Sequence, residues 1–186
     1  VARYQALYPQ VAVELRLDNR RTDLAAEGCD LAIRIGERAD SSLIARKLCD
    51  NPLRLAAAPA FVARHGRIDS LAARLRLPAV SYRADGLQHE TLNWIDAGGR
   101  ERAEPMPHIA FWSNHGEALL AAVLAGTGWG VMPAFLAHAD LQAGRLVPLL
   151  PDVRLPPFGM VYAVYRERRL PLRTRLFLDL LQESIG

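Results

Sequence analysis

Between Ala2 and Gly36 the sequence switches between helical and strand periodicity three times, and this alternation constrains the fold more than any other feature. Residues 2–8 carry helical spacing that stops at Pro9, because a proline disfavours helical geometry in the residue before it. "VAVELRL" (11–17) then alternates, with Val11, Val13, Leu15 and Leu17 on one face and Ala12, Glu14 and Arg16 on the other, the pattern of a strand. Asp18 or Asn19 can cap a short helix over "RRTDLAAEG", which Gly28 ends. "CDLAIRIG" is the next strand. Helix, strand, helix and strand in so short a span predict a parallel sheet with helical crossovers, and hence an α/β chain.

The rest of the chain continues in kind. "LIARKL" and "PLRLAAAPAF" read as strands, "PAFVARHG" as a helix ended by Gly66, "SLAARLRL" as a short helix or turn, and "PAVSY" as a strand. "ETLNWIDAGGRERAE" has the Gly-Gly turn of a hairpin, and "HIAFW" is a strand. "SNHGEALLAAVLAG" is the strongest helix: Asn114 with Glu117 forms a variant of the capping box, Leu119, Leu120, Val123 and Leu124 make an apolar stripe, and Gly126 ends it. "WGVMP" is a strand, "FLAHADLQAG" a short helix closed by Gly144, and "RLVPLL" and "MVYAVYR" are strands. Pro171 opens an amphipathic C-terminal helix with Leu172, Leu176, Phe177, Leu180 and Leu181 on one face.

Composition bears on what the chain can bind. It has 186 residues, 51% of them hydrophobic, enough for one large domain or two lobes with real cores. The net charge is only +3, from 23 basic and 20 acidic residues, and Lys47 is the sole lysine. A nucleic-acid face shows a denser basic stripe. The one dense cluster, "YRERRLPLRTR", is interrupted by Glu167 and reads as a solvated helix start. Cys29 and Cys49 form neither a disulfide framework nor a metal site, and read as reduced thiols of a cytoplasmic protein. No stretch is long and apolar enough to span a bilayer.

The motifs with chemical meaning are few. "GTGWG" (126–130) has dinucleotide-site glycines in the wrong order: a phosphate loop follows a strand and opens a helix, whereas here a helix comes first. His65, His89, His108, His115 and His138 show no metal-ligand spacing. No serine sits in a nucleophile elbow, and no carboxylates pair for acid–base work. No catalytic residue, metal or cofactor is expected, and the chain is not read as an enzyme. What remains is a set of strand tips, "RIG", "VSY" and "FWSN". The crevice outside the carboxyl ends of parallel strands is the natural ligand site of such sheets. Ser113 and Asn114 can cap the following helix, bind an anion with its free amides, or do both.

In order and spacing, "YPQVAVELRLDN", "DLAAEGCDLAIRIG", "DSSLIARKL", "AAAPAFVARHG", "SNHGEALLAAVLAGTGWGVMP", "DLQAGRLVPLL" and "VYAVYRERRLPLRTRLFLDLL" resemble the effector-binding domain of LysR-type transcriptional regulators. The resemblance implies two Rossmann-like lobes joined by two crossing strands, as in type 2 periplasmic binding proteins: residues 1–55 and 160–186 in lobe I, residues 56–159 in lobe II. It implies a small effector, a carboxylate or aromatic acid, held in the interlobe cleft. The matching positions are Asp18, Asn19, Ile35 and Gly36 from the first lobe and Ser81, Tyr82, Ser113, Asn114 and His115 from the second, with Met132 and Pro133 flooring or flanking the pocket. Arg34 alternates with Ile33 and Ile35 and so faces away from them. The family's winged helix-turn-helix and the first strand of the effector domain would precede Val1, and promoter DNA would be bound by that absent domain.

The resemblance further implies a homodimer or tetramer, with "VARYQALY" of one copy against "EALLAAVLAG" of another through Tyr4, Leu7 and Leu120. On this reading the chain senses an effector and relays it to DNA binding, with no membrane partner. The alternative is a periplasmic-type solute-binding receptor, which requires a secretory signal. An enzyme built on the same two-lobe fold, such as a deaminase or a synthase, is disfavoured for want of a nucleophile or an acid–base set.

Overall fold

The computed structural model describes residues 1–18, 24, 28–36, 43–66, 70–84 and 87–185. In chain order the elements are α1 (Ala2–Leu7), β1 (Ala32–Gly36), β2 (Ile44–Asp50), β3 (Leu53–Ala57), α2 (Pro59–His65), α3 (Leu71–Leu75), β4 (Ala79–Ala84) and β5 (Leu87–Gln88). There follow β6 (Thr91–Ile95), β7 (Glu101–Pro105), β8 (Ile109–Ser113), α4 (Gly116–Leu124), β9 (Trp129–Pro133), α5 (Ala134–Gln142), β10 (Val147–Pro148), β11 (Met160–Tyr165) and α6 (Leu172–Ile185). The chain divides into two compact units, Val1–Asn51 with Gly159–Gly186, and Pro52–Phe158.

In the first unit a three-stranded sheet has the order β1-β11-β2. β11 runs antiparallel to both neighbours, with Ala32↔Val164 on one side and Ala45↔Val164 on the other. β1 and β2 therefore share a direction but are separated by the returning strand. Leu48, Val161, Ala163 and Leu178 form the core here, the last supplied by α6. Tyr4 is 2% exposed. Its ring meets Phe177 edge-on at 5.0 Å, and its hydroxyl donates to the Arg173 carbonyl at 2.8 Å.

The expected strand over 11–17 does not form: residues 11–18 carry no regular structure, and Leu15 and Leu17 are 66% and 78% exposed. Alternation specifies two faces, but a strand also needs a ladder partner. No described strand pairs with this stretch. The expected helix over "RRTDLAAEG" lies mostly outside the described residues. Of that stretch, Leu24 is described and buried.

The second unit carries a mixed sheet of order β10-β3-β9-β4-β5, with β8 also paired to β4. The β4–β8 and β4–β9 pairs are parallel, whereas β3–β9 and β3–β10 are antiparallel. Parallel pairs with a helical crossover thus occur here beside antiparallel ones. β4, β8, β9 and β10 run in one direction, and β3, the first strand of the unit, runs against them although α2 and α3 link it to β4. The hairpin forms as β6 with β7, from Thr91↔Pro105 to Ile95↔Glu101. One core layer gathers Leu55, Phe61, Leu92, Met106 and Trp129, the other Val80, Leu119, Val123, Met132 and Leu146.

The glycines of "GTGWG" have structural explanations. A Cβ on Gly128 would lie 2.6 Å from the Pro78 carbonyl oxygen, so this position admits only hydrogen where β9 enters against β4. The capping box does not form: α4 begins at Gly116 with His115 as its N-cap and no side-chain cap bond, which puts Asn114 one residue too early.

Candidate functional site

Three parallel strands of the second unit end on one edge of the sheet: β4 past Tyr82, β8 at Ser113 and β9 at Pro133. The register of β4 and β8 sets Ser81 beside Trp112 and Tyr82 beside Ser113. Because side chains alternate across a strand, each pair shares a face of the sheet. Ser81 is buried, and its hydroxyl donates to the His89 carbonyl at 2.6 Å. Tyr82 is half-buried, with its ring 5.8 Å from the His89 ring. The Ser113 hydroxyl accepts from the His115 amide at 3.0 Å and so shapes the entry to α4. Within the helix's first turn the leading amides have no intrahelical acceptor and face outward as donors. Glu117 already sits in that turn.

The remaining expected residues divide. Asn114 and His115 are exposed beside Ser113. Pro133 is half-buried and caps α5. Met132 is 2% exposed and belongs to the core with Val123 and Leu119. In the first unit, Asp18 is exposed in the stretch without regular structure, and Asn19 lies outside the described residues. Ile35 is 46% exposed, as is Ile33, whereas Arg34 is half-buried on the opposite face of β1. Gly36 ends that strand at φ 127°, and Gly159, at φ 62°, comes so close that a Cβ there would lie 2.3 Å from the Gly36 carbonyl carbon. Two glycines are needed where the backbones meet. Of the surface residues expected at a contact between copies, Leu7 is 58% exposed, Leu120 is half-buried and Tyr4 is turned into its own unit.

Sequence reasoning missed several neighbours of this edge. The Arg83 guanidinium stacks over the Trp112 ring at 4.0 Å from its centroid, and its Nη2 lies 3.7 Å from Glu90. His89 stands edge-on to Tyr82 and also to Phe158, at 5.5 Å. Burial holds its imidazole below the ordinary histidine value by penalising the charged form. The sequence signal for this corner is Asp85-Gly86, a strong hairpin dipeptide. β4 and β5 indeed pair as Arg83↔Gln88 and Ala84↔Leu87, which carries His89 back beside Tyr82. A cavity of about 520 Å³ adjoins, lined by Glu90, Thr91, Pro105, Met106, Pro107, Ile109 and Trp112. Among the described residues no cluster of histidine, cysteine or carboxylate groups could hold a metal ion. Cys29 and Cys49 form no disulfide among the described residues, and burial pushes the Cys49 thiol up. No described helix is long and apolar enough to cross a membrane.

Two α/β units, with polar groups and aromatics gathered at the carboxyl ends of parallel strands, define a ligand-binding regulatory domain of the type 2 periplasmic-binding-like fold. A family model, the LysR substrate binding domain, matches residues 1–186, and the chain belongs to that family of effector-binding domains of LysR-type transcriptional regulators. It is 36% identical over 184 residues to the HTH-type transcriptional regulator PtxR of Pseudomonas aeruginosa, a match covering 96% of this chain and 56% of the relative. It is 32% identical over 188 residues to the HTH-type transcriptional regulator CrgA of Neisseria meningitidis, covering 100% of this chain and 61% of the relative. The solved CrgA regulatory domain superposes with a TM-score of 0.85 at 30% identity, covering 100% of this chain and 89% of that one. The chain thus spans less than two thirds of these two curated relatives.

Proposed function

We propose that this chain senses a small carboxylate or aromatic acid at the carboxyl-end edge of β4 and β8, as the regulatory part of a longer DNA-binding regulator. The observation that carries the reading is a single parallel strand pair whose carboxyl-end edge carries a stacked guanidinium on one face and a hydroxyl with a helix start on the other. Arg83 has its plane fixed by the indole of Trp112. Ser113 stands beside Tyr82 at the entry to α4. A stacked guanidinium presents its donor fork to a carboxylate, and aromatic faces hold an apolar body. Glu90 is the acid that an incoming carboxylate displaces from Arg83. In the first unit, Ile35, Gly36 and Asp18 remain proposed contributors.

In the whole regulator, effector binding shifts the population of conformers and so changes how attached DNA-binding domains engage promoter half-sites in a homodimer or tetramer. Leu7 and Leu120 are the proposed contacts between copies. The test is calorimetric titration of the chain with benzoate and succinate, then a wider panel of small acids, on the native protein and on Arg83→Gln and Ser113→Ala. Saturable binding weakened about tenfold or more by Arg83→Gln is expected, the loss of one charged hydrogen bond. No binding across the panel, or binding indifferent to both substitutions, overturns the reading.

A further inference from the structure

The arginine cluster of the C-terminal segment is not used by the proposed effector site. In the first unit it surrounds a cavity of about 490 Å³ lined by Arg46, Tyr165, Arg168, Arg169, Leu170, Arg175 and Leu178. Three segments contribute: Arg46 from β2, Arg168 and Arg169 from the turn after β11, and Arg175 from the first turns of α6. The floor is apolar, with Leu178 1% exposed and Leu170 half-buried. No carboxylate is among the described residues that line it.

The charge balance within the cavity is uneven. Arg46 is compensated: its Nη1 lies 3.2 Å from Asp179, and its Nη2 donates to Gln182. Arg173, on the same helix, pairs with Asp30 at 3.5 Å and is not part of the lining. Arg168, Arg169 and Arg175 make no ion pair or side-chain hydrogen bond with any described residue. Three uncompensated guanidinium groups around one concavity repel each other, and an anion set among them removes that repulsion. Guanidinium forks match carboxylate and phosphate oxygens in pairs. A concave wall with an apolar floor suits a compact ligand better than a duplex, which takes an extended basic stripe.

We propose that this cavity is a binding site for a small multiply charged oxyanion, a polycarboxylate or a phosphate ester, held by Arg168, Arg169 and Arg175. It draws on the first unit only and does not rest on the effector reading for β4 and β8.

The experiment is calorimetric titration of the 186-residue chain with citrate and with pyrophosphate, at low and at physiological salt. The variants are Arg168→Gln/Arg169→Gln, Arg175→Gln, and Arg54→Gln as a control on an exposed arginine of β3. Saturable binding is expected for at least one probe, falling with salt, about tenfold or more weaker in the double variant, weaker in Arg175→Gln, and unchanged in Arg54→Gln. The tighter probe distinguishes a polycarboxylate from a phosphate ligand. All the substituted side chains are exposed, so the variants keep the native melting temperature. Absence of saturable binding by both probes at low salt overturns the proposal, as does equal affinity in the double variant and the native chain. Displacement of the bound anion by a duplex oligonucleotide that binds these arginines more tightly also overturns it, in favour of a nucleic-acid contact.

Discussion

His89 is where one side chain makes the stability of the chain depend on pH. Its ring stands edge-on to Tyr82 and Phe158, and its backbone carbonyl is tied to the Ser81 hydroxyl. Burial lowers its pKa from the ordinary 6.5, so the folded chain takes up a proton less readily than the unfolded one. The unfolded state therefore binds more protons as pH falls below about 6.5, and stability drops with it. Above that value the contribution is fully present. Asp96 does not blur this window. Its carboxylate accepts from the Arg100 and Gly98 amides and from Arg102 Nε, and these bonds, the Arg100 amide first, hold its pKa below the usual range. Its contribution is lost only at pH values below the ordinary carboxylate range. Melting temperature measured between pH 7.5 and 5.5 should fall in the native chain and fall less in His89→Gln. Parallel curves would show that the half-buried imidazole carries no such linkage.

At the scale of elements, the approach of β9 to β4 depends on a missing side chain. A Cβ on Gly128 would meet the Pro78 carbonyl oxygen at 2.6 Å and the Ala79 carbonyl carbon at 3.0 Å, both backbone atoms of the neighbouring strand entry. Backbone cannot rotate aside as a flexible side chain does, so Gly128→Ala should destabilise by about 1–3 kcal/mol, the usual cost of overpacking. The urea midpoint reads this directly, and an unchanged midpoint would mean that the two segments can separate freely. The same region marks the boundary of what a sequence can say. α4, β9 and the β6–β7 hairpin are legible, because apolar period and Gly or Pro punctuation agree there. The stretch 11–17 has the period without the ladder, and strand directions cannot be read from period at all. Ser81, Tyr82 and Ser113 are legible as strand ends. Met132 is not legible as core, because alternation gives two faces without saying which is covered. Arg83 and His89 come together only through the β4–β5 pairing, signalled by a single Asp-Gly dipeptide that outwardly resembles any loop.

For the whole molecule, the described residues provide the two units with unequal cores. The second unit buries two clusters, including Phe61, Trp129, Val123 and Met132, around its mixed sheet. The first gathers Leu48, Val161, Ala163 and Leu178 against a three-stranded sheet, while Ile33, Ile35, Leu15 and Leu17 remain largely in water. Apolar burial contributes about 25 cal/mol per Å². Side chains left exposed contribute nothing to holding their unit closed. The first unit should therefore open at lower free energy, in the manner of a separately cooperative segment. In native-state hydrogen exchange of this chain, amides of the β1–β11–β2 ladder should exchange about tenfold or more faster than those joining β3, β9 and β4, corresponding to about 1.4 kcal/mol. Val123→Ala should then cost about 1–2 kcal/mol of protection in the second unit, as loss of a buried side chain does. The β1–β11 ladder should keep its exchange rates, because its opening does not pass through that core. Equal protection in both ladders, with both lowered together by Val123→Ala, would mean that the chain opens as one cooperative body and that its division into two compact units has no energetic counterpart.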